Sequence, residues 1–304
     1  MRKTLRKLRN TVINCLVRWN PIGMNPFRAI YQIKVDLVMP KHFYHHPMDG
    51  LMESHPPVYA PSITVAGEPL PVPPPDVRPG YSPDNDIHYL DWGKSDHDFI
   101  VDLIKKHGNY GPDLAILDWG CSSGRVLRHF YAEHGKLNWA LFGIDIQAFQ
   151  IEWMRQNFPS TFSVISGTAF PHLPYKDNSI DIIYGISVFT HTKYLWDFWL
   201  MELKRVLKPG GLCILTVQCE EAWEFYHQHR NEPWVQGGHP RSMLEKPHLT
   251  QDYFLYGDGV VSQNFFKEEC LKRYYGRIMS VVDFLPPAAK VDYQGYQNWV
   301  VLRA

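Results

Sequence analysis

The chain of 304 residues lacks any apolar run long enough to cross a bilayer, so nothing in it reads as a membrane span. It also lacks a charge excess: 31 lysines and arginines balance 31 aspartates and glutamates. That balance argues against a dedicated nucleic-acid binder, which carries a basic surplus. Cysteine is scarce, with five residues (Cys15, Cys121, Cys213, Cys219, Cys270) that are odd in number and show no metal-ligand spacing. They fit a reduced, intracellular protein better than a disulfide framework, and a cytoplasmic location is expected. The amino-terminal stretch is missing acidic residues until Asp36, contains no small-residue cleavage site, and has an apolar part broken by Asn14. It is therefore a poor signal peptide, and the lack of serine there argues against a transit peptide.

What that stretch does contain is basic charge (Arg2, Lys3, Arg6, Lys7, Arg9) beside Leu5, Leu8, Val12, Cys15 and Leu16 at helical spacing. Two readings stay open, a helix lying weakly on a membrane surface or an extension that packs on the domain. Residues 56–83 are punctuated by proline, with Pro69, Pro71, Pro73, Pro74, Pro75 and Pro79 close together, and read as an extended linker. His42, His45, His46 and His55 precede it, but their spacing matches no familiar metal site, and no metal is expected. The organisation predicted is an extension plus linker over 1–84 and one domain over 85–304.

Within 85–304, apolar strand patterns alternate with helical ones. Ser95 and Asp98 resemble a helix start, with an apolar face from Phe99 to Ile104 ending near Gly108. Strands are predicted near 114–119, 139–144, 162–165, 179–189, 212–217, 278–282 and 298–302. Helices are predicted near 125–134, around Phe149 to Met154, and over 195–207, with a turn at Lys208-Pro209-Gly210-Gly211. Such alternation implies an α/β fold with a mostly parallel, doubly wound sheet and helices on both faces.

The most informative segment is Ile116-Leu117-Asp118-Trp119-Gly120-Cys121-Ser122-Ser123-Gly124-Arg125. It reads as an apolar strand running into an acidic, glycine-bearing turn and then a helix. That arrangement lets backbone amides approach a ligand closely. Its Gly-x-x-x-Gly spacing lacks the Gly-x-Gly-x-x-Gly of nicotinamide-dependent oxidoreductases, which disfavours that class.

Four motifs in order resemble the class I S-adenosylmethionine-dependent methyltransferases. They are the Asp118–Gly124 turn, Asp145 closing a second strand, the segment Phe170 to Asp181, and Glu202 to Gly211 before a late strand. The closing Gly295 to Leu302 resembles the last strand of small-molecule members. The resemblance covers roughly residues 85–304 and implies a seven-stranded, Rossmann-like fold and S-adenosylmethionine as donor; no metal-ligand constellation stands out, so metal-independent chemistry is expected.

Its implied roles are specific. Asp118, Gly120 and Cys121 would face the amino-acid end of the donor, and Gly124 would permit close helix packing. Asp145 would take the ribose hydroxyls and Ile146 one adenine face. Gly167 and Thr168 would stand near the adenine amino group, where many members carry an acid. Gly185 and Ser187 would lie under the methionine portion. Ser122 replaces a glycine and fits on the condition that it keeps a negative φ. The alternative for Asp118 is a carboxylate serving a helix start.

An alcohol acceptor must lose its proton, and His191 just past the fourth strand is the leading candidate base, followed by Glu220. The alternative for Glu220 and Glu221 is a charge pair on a helix's first turn. An insertion of roughly sixty residues, 220–277, is rich in aromatics (Trp223, Phe225, Tyr226, Trp234, Tyr253, Phe254 among them). It reads either as a roof over an acceptor such as a sugar or planar metabolite, or as a satellite core. The expected activity is methyl transfer to a small-molecule or glycan hydroxyl. A catalytically silent donor-binding or scaffold module is the alternative.

Overall fold

The computed structural model describes residues 62–78, 85–257, 262–287 and 296–304. The basic amino-terminal stretch, the four early histidines and Gly295 lie outside these residues. Strands β1 (Ala115–Trp119), β2 (Ala140–Asp145), β3 (Phe162–Ser166), β4 (Ile180–Gly185) and β5 (Leu207–Val217) run parallel. A short hairpin pairs β6 (Tyr253–Tyr256) with β7 (Gln263–Phe266). Strand β9 (Asn298–Arg303) lies antiparallel between β5 and β8 (Ser280–Leu285). The main sheet is seven-stranded in the order β3-β2-β1-β4-β5-β9-β8, the doubly wound, mostly parallel arrangement expected.

Period-two alternation divides the core between the two faces of this sheet. Ile116, Leu212, Ile214, Trp299 and Val301 join one buried cluster, whereas Leu117, Cys213, Leu215, Val300 and Leu302 join the other. The first cluster is covered by α1 (Asp86–His107) and α3 (Ala148–Asn157), with α2 (Tyr131–Leu137) at its margin. The second is covered by α4 (Trp196–Val206) and by α8 (Glu268–Tyr275). Both faces being covered explains why the central strands read as near-continuous apolar runs. Among the described residues, no helix is long and apolar enough to cross a membrane.

Several expected boundaries move for identifiable reasons. Helix α1 starts at Asp86 rather than near Ser95, because the Asn85 side chain caps it by accepting from the His88 N–H at 3.0 Å. No regular helix starts at Arg125: Ser122 (φ +50°) and Gly124 (φ +83°) are left-handed and wind the chain into turns. A 3-10 turn, Leu127–Phe130, follows, and α2 begins only at Tyr131. Strand β4 ends at Gly185, so residues 186–189 belong to the loop beyond it. Lys208 to Gly211 lie inside β5 rather than in a separate turn, and the β4–β5 register shifts between Ile180 and Ile182.

The described part of the proline-rich segment is neither simply extended nor a linker: Ile63 and Val72 pair as an antiparallel bridge, and Pro75–Val77 form a 3-10 turn. Leu70 and Val77 are buried in the first cluster. Arg128 donates to the carbonyls of Leu70 (2.6 Å) and Pro71 (3.1 Å), and Gln150 Nε2 donates to that of Val77 (3.0 Å). Residues 62–78 therefore strap onto the domain that was expected to start at 85.

Candidate functional site

The chain builds outward from β1 to β2 and β3, then returns to place β4 and β5 on the other side of β1. The order reverses between β1 and β4, and the crevice beyond the carboxyl ends of the strands there is where open α/β sheets bind ligands. A cavity of about 890 Å3 occupies this place. That lies within the ~300–1,000 Å3 common for small-molecule pockets. Its wall is contributed by the turn after β1, the end of β2, the segment after β3 and the loop after β4.

Several of the residues expected at the site line this cavity: Gly120, Asp145, Ile146, Gly167, Thr168, Ser187 and His191. Gly120 sits at φ +85°, and a Cβ there would lie 2.1 Å from Val188 Cγ2, so no other residue fits this turn without displacement. Asp145 Oδ2 accepts the Ser122 N–H and Oδ1 the Gln147 N–H, each at 2.8 Å. Burial raises its carboxyl above the ordinary range, while backbone N–H groups from Gln147, Ser122 and Ile146 pull it back. Each carboxylate oxygen still has a lone pair for a further hydroxyl. Ile146 lines the cavity and is 41% exposed. Thr168 Oγ1 accepts the Phe170 N–H at 3.3 Å.

Ser122 departs from expectation: its φ is +50°, not negative. The glycine-type conformation is kept by a serine because its N–H is fixed on Asp145. Its own Oγ is buried without a hydrogen-bond partner beside the cavity it lines.

Other expected residues stand behind the wall. Asp118 does not line the cavity; it is 4% exposed, on the sheet face opposite its neighbours Leu117 and Trp119, and its Oδ2 accepts the Tyr184 hydroxyl at 2.8 Å. Burial pushes its carboxyl up to about 7, against the Tyr184 bond, with Asp145 adding to the rise. Cys121 is likewise buried off the cavity, its Sγ 2.9 Å from where a Cβ on Gly143 would lie, and burial raises its thiol well above the usual range. Gly124 has the packing part expected of it: a Cβ would come within 2.7 Å of Met154 Cε and 2.9 Å of Phe158 Cε2. Gly185 packs in the same way under Trp119, where a Cβ would lie 2.8 Å from Cε3, and does not line the cavity.

Beyond β4, Ser187 adopts φ +56°. It is held by its N–H on Thr216 Oγ1 (2.7 Å) and by Gln297 Nε2 donating to its Oγ (2.6 Å). His191 ends a 3-10 turn, Phe189–His191. Its Nδ1 lies 2.7 Å from the Ser262 carbonyl, which can only accept, so Nδ1 carries the proton and Nε2 is the basic atom. Burial lowers the imidazole below its ordinary value, partly offset by that carbonyl.

Glu220 is not at the cavity. Its Oε2 accepts the Glu268 N–H at 2.9 Å and so serves the start of α8, while Glu220 and Glu221 both stand in the first turn of their own helix, the alternative given for them. The insertion aromatics resolve in the same direction. Trp223, Tyr226, Val235, Met243, Leu244, Phe265 and Tyr296 form a separate buried cluster around α5 (Glu220–Gln228), α6 (Pro233–Gly238) and α7 (Arg241–Leu244). None of the described residues of 220–277 lines the cavity.

The residues missed by sequence reasoning are mostly apolar. Trp119 and Trp199 pack at 4.8 Å between ring centroids under the site, Phe149 and Phe170 flank it, and Tyr194 stands at its lip, 74% exposed. The signal that points to the 192–195 segment is its place directly after a strand end at the switch point. The segment from Leu173 to Tyr175 is pinned from α4. Glu202 Oε1 accepts the Leu173 N–H (2.6 Å), and Arg205 donates to the carbonyls of Leu173 (2.9 Å) and Tyr175 (3.0 Å). Among the described residues no cluster of three or more metal-ligating side chains occurs.

Residues 117–215 match the family model described as a methyltransferase domain. A sterol 24-C-methyltransferase of Gibberella zeae is 25% identical over 154 residues, covering 44% of this chain and 39% of that protein. An uncharacterized protein of Methanocaldococcus jannaschii is 31% identical over 115 residues, 38% of this chain and 45% of that one. The chain spans about two fifths of the length of the sterol methyltransferases it matches. A solved structure from Pyrococcus horikoshii superposes with a TM-score of 0.51 at 17% identity, over 75% of this chain and 96% of that one, and shares the fold.

Proposed function

We propose, from the premise that this chain belongs to the class I S-adenosylmethionine-dependent methyltransferases, that its cavity binds that donor and that the protein transfers the methyl group to a hydroxyl of a small-molecule acceptor. The observation that carries this reading is Asp145. Its carboxylate stands on the cavity wall at the end of β2, is oriented by two backbone N–H groups, and retains lone pairs for vicinal hydroxyls. The fit is supported by the unpartnered Ser122 Oγ and by Gly120, whose missing side chain opens the turn. Ile146, Gly167 and Thr168 would hold the adenine, and Ser187 the methionine portion. Asp118 would act from behind, shaping the turn through its buried bond to Tyr184 rather than touching the donor.

When bound, the donor supplies an electrophilic methyl group on a cationic sulfur. The protein's share is alignment and proton removal. His191 Nε2 would accept the acceptor's hydroxyl proton, and burial, which keeps the ring neutral, leaves it ready to do so near pH 7. Trp119, Trp199 and Phe189 exclude water beneath the site. Calorimetric titration with S-adenosylhomocysteine tests the donor part. Methyl transfer from labelled donor to a panel of sugars, phenols and a sterol tests the acceptor part. Donor binding without transfer to any hydroxyl in the panel would favour the silent module instead.

A further inference from the structure

The insertion after β5 does not roof the cavity, yet its hairpin reaches the loop that forms one cavity wall. Ser262, fully buried, brackets His191 twice: its carbonyl accepts from Nδ1 at 2.7 Å, and its Oγ donates to the His191 carbonyl at 3.1 Å. Asn264, 1% exposed, directs its Nδ2 at the Phe189 carbonyl (3.4 Å), Thr192 Oγ1 (3.2 Å) and the Lys193 carbonyl (3.2 Å). The Tyr253 hydroxyl donates to the same Lys193 carbonyl at 2.9 Å and lies 3.3 Å from Asn264 Oδ1. Lys193 is left-handed (φ +53°), a conformation unfavourable for a non-glycine residue. Three residues of a hairpin sixty or more positions along the chain thus converge on Phe189, His191, Thr192 and Lys193 of one loop.

We propose that the β6–β7 hairpin is a positioning device, in which Ser262, Asn264 and Tyr253 hold residues 189–193 so that His191 keeps its proton on Nδ1 and presents Nε2 to the acceptor. This rests on the reading of His191 as the base. Imidazole in water favours the opposite tautomer, so the Ser262 carbonyl selects the form in which Nε2 is a proton acceptor. Ser262, Thr192 and Asn264 bring no charge to the ring. Lys193 is the cation in the gripped loop, and Tyr253 stays neutral because burial raises its hydroxyl. Ser262, Asn264 and Tyr253 are positioning residues; they act through the loop.

The test uses the full chain with 15N-labelled histidine, His191 being assigned by loss of its signals in His191→Gln. Nitrogen shifts are followed against pH in the wild type, in Asn264→Asp, which keeps shape but removes the donor, and in Tyr253→Phe. The wild type is expected to show the Nδ1–H tautomer. Asn264→Asp is expected to lose it to a mixture of the two tautomers. Turnover should fall about tenfold or more while affinity for S-adenosylhomocysteine stays within about twofold. A structural role alone would lower the folded fraction without changing the tautomer. Tyr253→Phe, which retains the ring packed on Phe266 at 4.9 Å, carries the test if Asn264→Asp does not fold. A wild-type proton on Nε2, or both variants leaving the tautomer unchanged, would overturn the proposal. Failure of S-adenosylhomocysteine to bind the wild type would instead strike the donor reading, since the tautomer is read in the free protein.

Discussion

On one side of the cavity, Ser122 and Asp145 stand at the ends of adjacent strands and hold each other across 23 residues of sequence; on the other, His191 is held by Ser262 across 71. The first wall is a by-product of the sheet, because parallel neighbours β1 and β2 must end side by side. The second wall is a loop with no ladder of its own, so a separate hairpin supplies its bonds. A site half built by its sheet and half by a remote element should fail in two different ways when substituted.

The largest effect is expected where the walls meet. Gly120→Ala would place a methyl group 2.1 Å from Val188 Cγ2 at φ +85°. It should destabilise the fold by about 2–5 kcal/mol in denaturant unfolding. Adding Val188→Ala should restore the steric part alone; full restoration would show that the backbone conformation costs nothing there.

Next comes the carboxylate behind the first wall. The folded Asp118 carboxyl lies at about 7, above its unfolded value near 3.9, so the native chain keeps a proton that the unfolded chain releases. Stability from this group is full below about pH 4 and is lost as pH rises to about 7, on the order of 2–4 kcal/mol. Asp118→Asn should flatten that slope in unfolding curves collected from pH 4 to 8, and an unaltered slope would assign it elsewhere. The same variant should change affinity for S-adenosylhomocysteine less than about threefold. Asp145→Ala should weaken it about tenfold to a hundredfold, the loss of charge-assisted hydrogen bonds. Equal effects of the two would erase the distinction between wall and backing. The smallest effect belongs to Glu220→Ala, which frees the Glu268 N–H at the start of α8. A loss of about 1 kcal/mol with unchanged donor affinity is expected, and a larger change in binding than in stability would return Glu220 to the site.

How much was legible follows the same division. The sheet, its parallel core and the positions of Gly120, Gly124 and Asp145 could be read from the strand-turn patterns, because each depends on neighbours within a few residues. The direction of Asp118 is not legible, since membership of a strand-end motif does not tell which sheet face a side chain takes. Ser122 was expected at negative φ, and a tertiary bond to Asp145 overrode its intrinsic preference. Composition alone reads the proline segment as an extended linker, because it records neither the Ile63–Val72 bridge that turns it back nor the Arg128 and Gln150 donors that dock it. The insertion's aromatics were compatible with both a roof and a satellite core, and packing chose the core.

By itself, then, the amino-acid sequence determined a doubly wound sheet and a glycine-bearing turn at the end of its first strand, since hydrophobic period, glycine placement and strand-end acids are local properties written directly in residue order. Only the tertiary structure decided which carboxylate faces the cavity, that residues 62–78 belong to the domain, and that a hairpin from the insertion grips the His191 loop. Those outcomes depend on which distant groups satisfy buried hydrogen-bonding atoms. Many pairings satisfy the same local pattern, and packing selects among them.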